Sequence, residues 1–280
     1  MQQRGVADSA SPADSARSSA VARAAVGVFV AISASLFLLF ILGPVFGLVG
    51  AGGMRGIAAL GSDSELRASL SLTAITATIA SLLGVIGGTP LAYLLARRSF
   101  RGRAVLAALM DLPIVIPHPV AGIALLLVLG RASPVGSVLY SAGIRVASST
   151  TGIVCAMLFV SAPLYVSAAR EAFARVDARY ETVARTLGDD AWRAFHRVTL
   201  PLASRGLTAA AVVMWARAVS EFGAIVILTY NPKVASVLSY DRFTSYGLSE
   251  TLPVAAVLVL FALIPLAALR ALKHADPLAR

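Results

Sequence analysis

Six long apolar stretches constrain this chain more than any other feature of its sequence. Each is close to the roughly 20 residues that a helix needs to cross a lipid bilayer. Membrane β-strands would be shorter and would alternate in polarity, whereas a helix satisfies its own backbone hydrogen bonds in lipid. The sequence therefore predicts an all-α, polytopic membrane protein with six transmembrane helices, at about residues 22–49, 69–95, 104–130, 150–169, 207–229 and 251–272.

The overall composition agrees with insertion in a membrane. Of the 280 residues, 58% are hydrophobic and 14% are charged, whereas soluble chains average roughly 25% charged residues. One soluble core could not hide so much apolar surface, so the predicted location is the cell membrane (plasma or inner), crossed several times. Residues 1–20, rich in Ser, Ala and Asp, are predicted to be a disordered tail, and residues 21–280 a single transmembrane domain.

The distribution of Lys and Arg orients the predicted helices. If the N-terminus is cytosolic, 17 of the 24 basic residues fall on the cytosolic side and six fall outside, while Arg217 lies within a helix. Because basic residues are enriched in cytosolic loops, both termini are predicted to be cytosolic.

Several functional classes find no support in the sequence. The net charge of +10 is not accompanied by a basic stripe or a recognition motif, so no nucleic-acid partner is predicted. The single cysteine, Cys155, cannot form a disulfide within the chain. His118, His196 and His274 are far apart and lie in no catalytic motif, so we expect no enzyme, no metal and no cofactor. An ion-coupled secondary transporter is a less favoured alternative, because such proteins often contain internal repeats and none is visible.

The longest predicted loop is the cytosolic segment of residues 170–206, and loops of this length commonly carry function. Its first half has helical spacing, and Gly188 is predicted to end that helix. Asp189 and Asp190 can cap a second helix, and Pro201 precedes the fifth membrane helix. The segment is predicted to be a helix, a sharp turn and a helix, with apolar faces made by Phe173, Val176, Tyr180, Val183, Ala184 and Leu187, and then by Trp192, Phe195 and Val198.

One run in this segment, Glu181-Thr-Val-Ala-Arg-Thr-Leu-Gly188 followed by Leu200-Pro201, resembles the EAA loop of ABC importer permeases. The Glu-Ala-Ala triplet of that family falls on Thr182, Val183 and Ala184. Its glutamate is therefore missing, and Glu181 stands in one position earlier. The resemblance implies a coupling helix that docks on a cytosolic ATPase subunit, with the coupling residues Glu181, Thr182, Val183, Ala184, Leu187, Gly188 and Pro201.

Four further stretches resemble the molybdate, tungstate and sulfate permeases, and most closely the molybdate/tungstate branch: Gly88–Arg103, Asp111–Gly122, Arg217–Ala224 and Tyr240–Leu248. The resemblance implies a type I ABC importer permease fold and transport of a tetrahedral oxyanion, with sulfate or thiosulfate as the alternative. It implies as partners two ABC ATPase subunits, a second copy of the chain and an extracytoplasmic substrate-binding protein, besides membrane lipid. No Gly-x-x-x-x-Gly-Lys-Ser/Thr loop is present, so a separate chain is expected to hydrolyse ATP.

Prolines interrupt the third apolar stretch. Pro113, Pro117 and Pro119 remove three amide donors, so this helix must be kinked or broken. Irregular backbone at membrane depth lines a cavity or is buried in protein, which leaves two interpretations, a gate in the pathway or a kink needed for packing. His118 lies between two of the prolines, where it either meets the anion or bonds a freed carbonyl.

The fifth apolar stretch contains ionisable residues at membrane depth. Arg217 lies about 15 Å beyond Leu207 at 1.5 Å per residue, and intramembrane charges are costly and are usually functional or paired. Its predicted partner is Glu221, at i+4, or Asp111. Arg217 is interpreted either as a contact for a dianion or as half of a structural pair. Two neighbours complete the candidates for the pathway: Phe222 as a gate or core residue, and Gly223 as a packing point or hinge.

Overall fold

The computed structural model describes residues 12–274, and every element in this range is helical. Twelve α-helices and one π-helical turn follow one another along the described chain. They are α1 (Pro12–Ser62), α2 (Ser64–Arg97), α3 (Arg103–Val115), α4 (His118–Leu129), α5 (Pro134–Ser141), α6 (Thr150–Arg175), α7 (Ala178–Thr186), α8 (Ala191–Ala194), the π-helical turn (Phe195–Thr199), α9 (Leu200–Val219), α10 (Gly223–Leu228), α11 (Ala235–Tyr246) and α12 (Leu248–His274).

The chain divides into two compact units, residues 1–51 and 52–280. The boundary therefore differs from the predicted start of a single domain at residue 21. The predicted tail is also too long: residues 12–20 are helical, and residues 1–11 lie outside the described range. Within the first unit, the apolar side chains that follow Ala25 are almost all exposed, as expected for a helix surrounded by lipid.

Five of the described helices are long and apolar enough to cross a membrane, and the bent pair α3–α4 brings the number to six. The predicted number of spans is thus confirmed, although several boundaries differ. The fourth span continues to Arg175, and α2 and α12 begin before the predicted residues. The short helices α5 and α11 lie in segments that were predicted to be loops.

The third span is broken, as its prolines predicted. The α3 and α4 axes meet at 113°. Pro117 occupies the N-cap of α4, and Pro119 is in its first turn, where a missing amide donor costs no intrahelical hydrogen bond. Pro113 lies inside α3 and not at the break. The bend therefore results from Pro117 and Pro119.

The fifth span is also broken, which the sequence did not predict. The α9 helix ends at Val219 and α10 begins at Gly223, so the continuous helix expected over 207–229 is interrupted at residues 220–222. No proline lies in this interruption. Glu221 instead provides a local substitute for a helical hydrogen bond, because its Oε1 accepts from the Ala224 amide at 2.8 Å.

The core forms where α6 packs against α2 and α9, and small residues allow these helices to approach closely. A methyl group on Gly84 would lie 2.1 Å from a methyl of Met214, and one on Gly88 would lie 2.8 Å from the Tyr165 ring. The buried Tyr165 hydroxyl also shares a hydrogen bond of 2.7 Å with Thr89. This tight three-helix core holds the cytosolic ends of α2, α6 and α9 together.

Candidate functional site

The cytosolic segment forms the predicted helix, turn and helix. Asp177 caps α7 by accepting from the Arg179 amide at 2.9 Å. Gly188 lies in the turn between α7 and α8 with a φ of +100°, a left-handed conformation that glycine adopts without strain. The two helices and this turn together form an arm. Asp190 then caps α8 by accepting from the Arg193 amide at 2.8 Å. The roles of Gly188 and Asp190 agree with the sequence prediction, whereas the cap at Asp177 was not predicted.

The predicted apolar face is only partly correct. Phe173 belongs to α6 and Val176 is its C-cap, and both are buried, so neither shares a face with α7. In α7 and α8 and the turn between them, Ala184 is buried, whereas four of the predicted face residues are more than half exposed: Tyr180, Val183, Leu187 and Trp192. Leu187 is 83% exposed. Large apolar side chains are therefore exposed at the tip of this charged segment.

Glu181 points away from this exposed surface. Its carboxylate accepts from Tyr93 Oη at 2.9 Å, from Arg97 Nε at 3.0 Å and from Thr199 Oγ1 at 2.6 Å. Tyr93 and Arg97 belong to the cytosolic end of α2, and Thr199 is the last residue before α9. Glu181 therefore fastens the α7 arm to two membrane helices at once.

Pro201 lies where the π-helical turn passes into α9. The Leu200 amide bonds back to the Phe195 carbonyl, which widens the helix just before the proline, a usual way of tolerating an interrupted hydrogen-bond ladder. Helices α8 and α9 therefore join into one apolar helix from Ala191 to Val219. The α8 helix is thus continuous with the membrane-spanning part of α9.

A second cluster forms where the two broken spans meet. His118 begins α4, Arg217 lies near the end of α9, and Glu221 lies in the break before α10. Arg217 Nη2 is 2.8 Å from Glu221 Oε2 and within 3.0 Å of both ring nitrogens of His118. His118 Nδ1 is 3.1 Å from the same Glu221 oxygen. Of the two predicted partners, Arg217 therefore uses Glu221.

Asp111 takes no part in this cluster. It lines a small cavity together with Ser167 and Arg170. The charges expected in the membrane thus separate into a compact group at the breaks and a carboxylate close to the α6 helix.

Gly223 allows the breaks to come together. A methyl group on Gly223 would lie 2.6 Å from His118 Cβ, and one on Gly122 would lie 2.7 Å from the Ala224 carbonyl oxygen. Gly223 therefore lies too close to α4 for a larger side chain to fit without displacement. Phe222 is partly buried, and its ring lies 5.0 Å from that of Tyr240 in α11.

A third group of charges lies at the opposite end of α2 from Arg97. Arg242 pairs with Asp63 at 2.7 Å, and Lys233 Nζ donates to Asp241 Oδ2 at 2.6 Å. The Lys233 hydrogen bond, followed by that of Tyr230, lowers the pKa of Asp241. The Arg242–Asp63 pair attaches α11 to the start of α2, and the Lys233–Asp241 pair attaches α11 to the segment just before it.

Sequence reasoning missed the partners of Glu181. Tyr93 and Thr199 show no motif, and Arg97 stands in a run of basic residues that also agrees with a simple cytosolic loop. The one available signal was Glu181 itself, an acidic residue that stands one position before the place of the glutamate in the family motif.

Comparisons with known proteins agree with this architecture. The family described as binding-protein-dependent transport system inner membrane component matches residues 88–280. The molybdate/tungstate transport system permease protein WtpB of Thermococcus kodakarensis is 45% identical over 185 residues, 66% of this chain and 70% of that protein. The probable molybdenum ABC transporter permease protein of Haloferax volcanii is 38% identical over 81% of this chain and 82% of its own length.

A solved structure shows the same fold at low sequence identity. It is the crystal structure of a bacterial ABC transporter involved in the import of the acidic polysaccharide alginate. The match has a TM-score of 0.69 and 18% identity, and it covers 89% of this chain and 93% of that one.

Proposed function

Because this chain belongs to the family of binding-protein-dependent transport system inner membrane components, we propose that it is the permease subunit of an ATP-driven importer for molybdate or tungstate. The names of its relatives support this substrate class. Sulfate is the second candidate, because the stretches that resemble molybdate permeases also resemble sulfate permeases. In all cases the cargo is a tetrahedral oxyanion carried across the membrane without chemical change.

The observation that carries the proposal is the arm formed by α7 and α8. It presents Leu187 and Trp192 to the cytosol, while Glu181 and the continuous helix of α8 and α9 connect it to the membrane core. An arm with apolar side chains on its exposed surface and hydrogen bonds to the membrane helices on its other side is suited to transmit the movement of a docked protein. The docked protein is an ATPase subunit in this proposal, and ATP hydrolysis takes place there.

The complete importer contains two copies of this chain, two ATPase subunits and an extracytoplasmic binding protein. Closure of the ATPases on ATP moves the two arms together and opens the pathway outwards, where the binding protein releases the anion. The broken spans supply the pathway residues: Pro113, Pro117, His118, Pro119, Arg217, Glu221, Phe222 and Gly223. Irregular backbone at this depth is tolerated where it lines a cavity or is enclosed by protein.

The direct test is uptake by proteoliposomes that contain the chain, its ATPase and its binding protein. We expect ATP-dependent accumulation of labelled molybdate and tungstate, with weaker competition by sulfate. Uptake that continues without the ATPase would contradict the proposal and favour ion-coupled transport. Competition in which sulfate displaces molybdate at equal concentration would make sulfate the cargo.

A further inference from the structure

The cluster at the two breaks leaves its two nitrogen-bearing side chains partly exposed and buries its carboxylate. The Glu221 side chain is 1% exposed, whereas those of Arg217 and His118 are 23% and 40% exposed. One Glu221 oxygen accepts from the Ala224 amide, and the other contacts Arg217 and His118. A molecule that approaches the cluster from its open side therefore meets nitrogen groups and not the carboxylate.

Arg217 keeps unused hydrogen-bond donors, and its side chain is partly exposed. Its Nη2 is committed to Glu221 and His118, and its Nη1 has a long contact of 3.3 Å with Ser220 Oγ. A guanidinium carries five N–H donors. Within the described part of the chain, Nε–H and one Nη1–H have no recorded partner, and the exposed Ser220 hydroxyl lies beside them. This set of donors suits a ligand that only accepts hydrogen bonds.

The balance of charges in the cluster favours weak, transient binding of an anion over tight binding. An isolated arginine in the membrane would attract a dianion strongly and would itself be costly to bury. The neighbouring Glu221 carboxylate cancels its formal charge, so binding depends on local donors without an excess of positive charge. A transport path requires binding that is favourable enough for entry and weak enough for exit.

We propose that Arg217 and His118 form a transient binding site for the tetrahedral oxyanion at the junction of the broken spans, and that buried Glu221 keeps this site weak. The inference rests on the proposed function, because it assigns a place in the path to the same cargo. Ser220 supports the site as a neighbouring hydroxyl. The role of Glu221 is to position Arg217 and to offset its charge, without contact to the anion.

The test uses the assembled complex of the chain with its ATPase, first without the binding protein. Labelled tungstate is the probe, and equilibrium binding to the detergent-solubilised complex is the measurement. We expect saturable binding in the millimolar range, which corresponds to about −4 kcal/mol. Arg217→Gln should abolish it, and Glu221→Gln should tighten it about tenfold, the equivalent of about 1.4 kcal/mol. Arg131→Gln removes a cation outside the junction and should leave binding unchanged.

The double variant Arg217→Gln with Glu221→Gln separates an anion site from a structural pair. Two amides can still hydrogen-bond across the i,i+4 spacing, so the helix junction is retained while the charges are removed. In proteoliposomes with ATPase and binding protein, we expect uptake to fall at least tenfold. Wild-type uptake by the double variant would overturn the inference and leave a structural pair only.

The remaining outcomes are also decisive. Absence of saturable tungstate binding to the wild-type complex, or unchanged affinity in Glu221→Gln, would overturn the inference even if Arg217→Gln failed to fold. In both cases wild-type proteoliposomes would still take up oxyanion, and the proposed function would stand. Failure of the wild type to transport any oxyanion in the presence of ATP would instead contradict the proposed function itself.

Discussion

Glu181 accepts a hydrogen bond from Arg97 Nε at 3.0 Å, although the two residues are 84 positions apart. The bond joins the α7 arm to the cytosolic end of α2, and the exposed fractions of the two side chains are 12% for Arg97 and 18% for Glu181. Arg97 Nη2 is buried and has no hydrogen-bond partner in the described part of the chain. Arg97 therefore depends on Glu181 for its neutralising contact.

Replacing Glu181 by Ala should uncouple ATP hydrolysis from transport. Loss of the carboxylate leaves Arg97 without its ion pair and removes the link between α7, α2 and α9. Because both groups keep some solvent contact, we expect destabilisation of about 1–3 kcal/mol, below the range for fully buried pairs. Thermal unfolding in detergent measures the stability, and the ratio of ATP hydrolysed to molybdate taken up measures coupling.

The matched control is Thr186→Ala, which changes an exposed residue of the same helix that is not among the predicted coupling residues. It should leave both the thermal unfolding temperature and the ratio of ATP hydrolysed to molybdate taken up close to wild type. If Glu181→Ala transports with the wild-type ratio of ATP to molybdate, the carboxylate serves stability alone.

Leu187→Ser should weaken association with the ATPase without destabilising the permease. The side chain is 83% exposed, so its loss creates no cavity in this chain, whereas a buried contact with a partner would lose on the order of 1–2 kcal/mol. Co-purification of the two subunits and ATP-dependent uptake should both fall. Leu187→Met keeps an apolar side chain and should retain association. Equal association of both variants would show that the ATPase does not cover this residue.

Gly223→Ala should force α10 away from α4. The added methyl would lie 2.6 Å from His118 Cβ, and overpacking of this kind typically costs about 1–3 kcal/mol. We expect a lower thermal unfolding temperature and a loss of uptake, because the added methyl displaces His118 from the cluster that it forms with Arg217 and Glu221. Gly87→Ala is the control, because a methyl there meets nothing within 4 Å. A normal uptake rate in Gly223→Ala would show that the junction tolerates separation.

Acid should weaken the contacts that Asp241 in α11 makes with the segment just before this helix. The Lys233 and Tyr230 hydrogen bonds lower the pKa of Asp241 below its ordinary 3.8. The folded state therefore binds a proton at Asp241 less readily than the unfolded state does. The contribution of Asp241 to the free energy of unfolding is thus complete above the unfolded-state pKa, and it is lost as the pH falls through the lower pKa of the folded state. Thermal unfolding measured from neutral pH downwards should show a steeper acid loss in the wild type than in Asp241→Asn. Parallel curves would contradict the linkage.

The amino-acid sequence by itself determined the features that depend on neighbouring residues. Apolar length specified the spans, prolines specified the break before α4, and Gly188 with Asp190 specified the turn and cap of the arm. Such signals are local, because the backbone chemistry of one residue or one turn produces them.

Only the tertiary structure decided which distant groups meet. It turned Glu181 towards Arg97 and away from the exposed side chains of α7 and α8. It also gave Arg217 the partner Glu221 in place of Asp111, and it placed the second break at residues 220–222, where the chain has no proline. It also brought His118 onto that break from 99 residues away. These contacts depend on how α2, α4, α7 and α9 pack in space, because a hydrogen bond is selected by distance and burial in the folded chain and not by spacing along it.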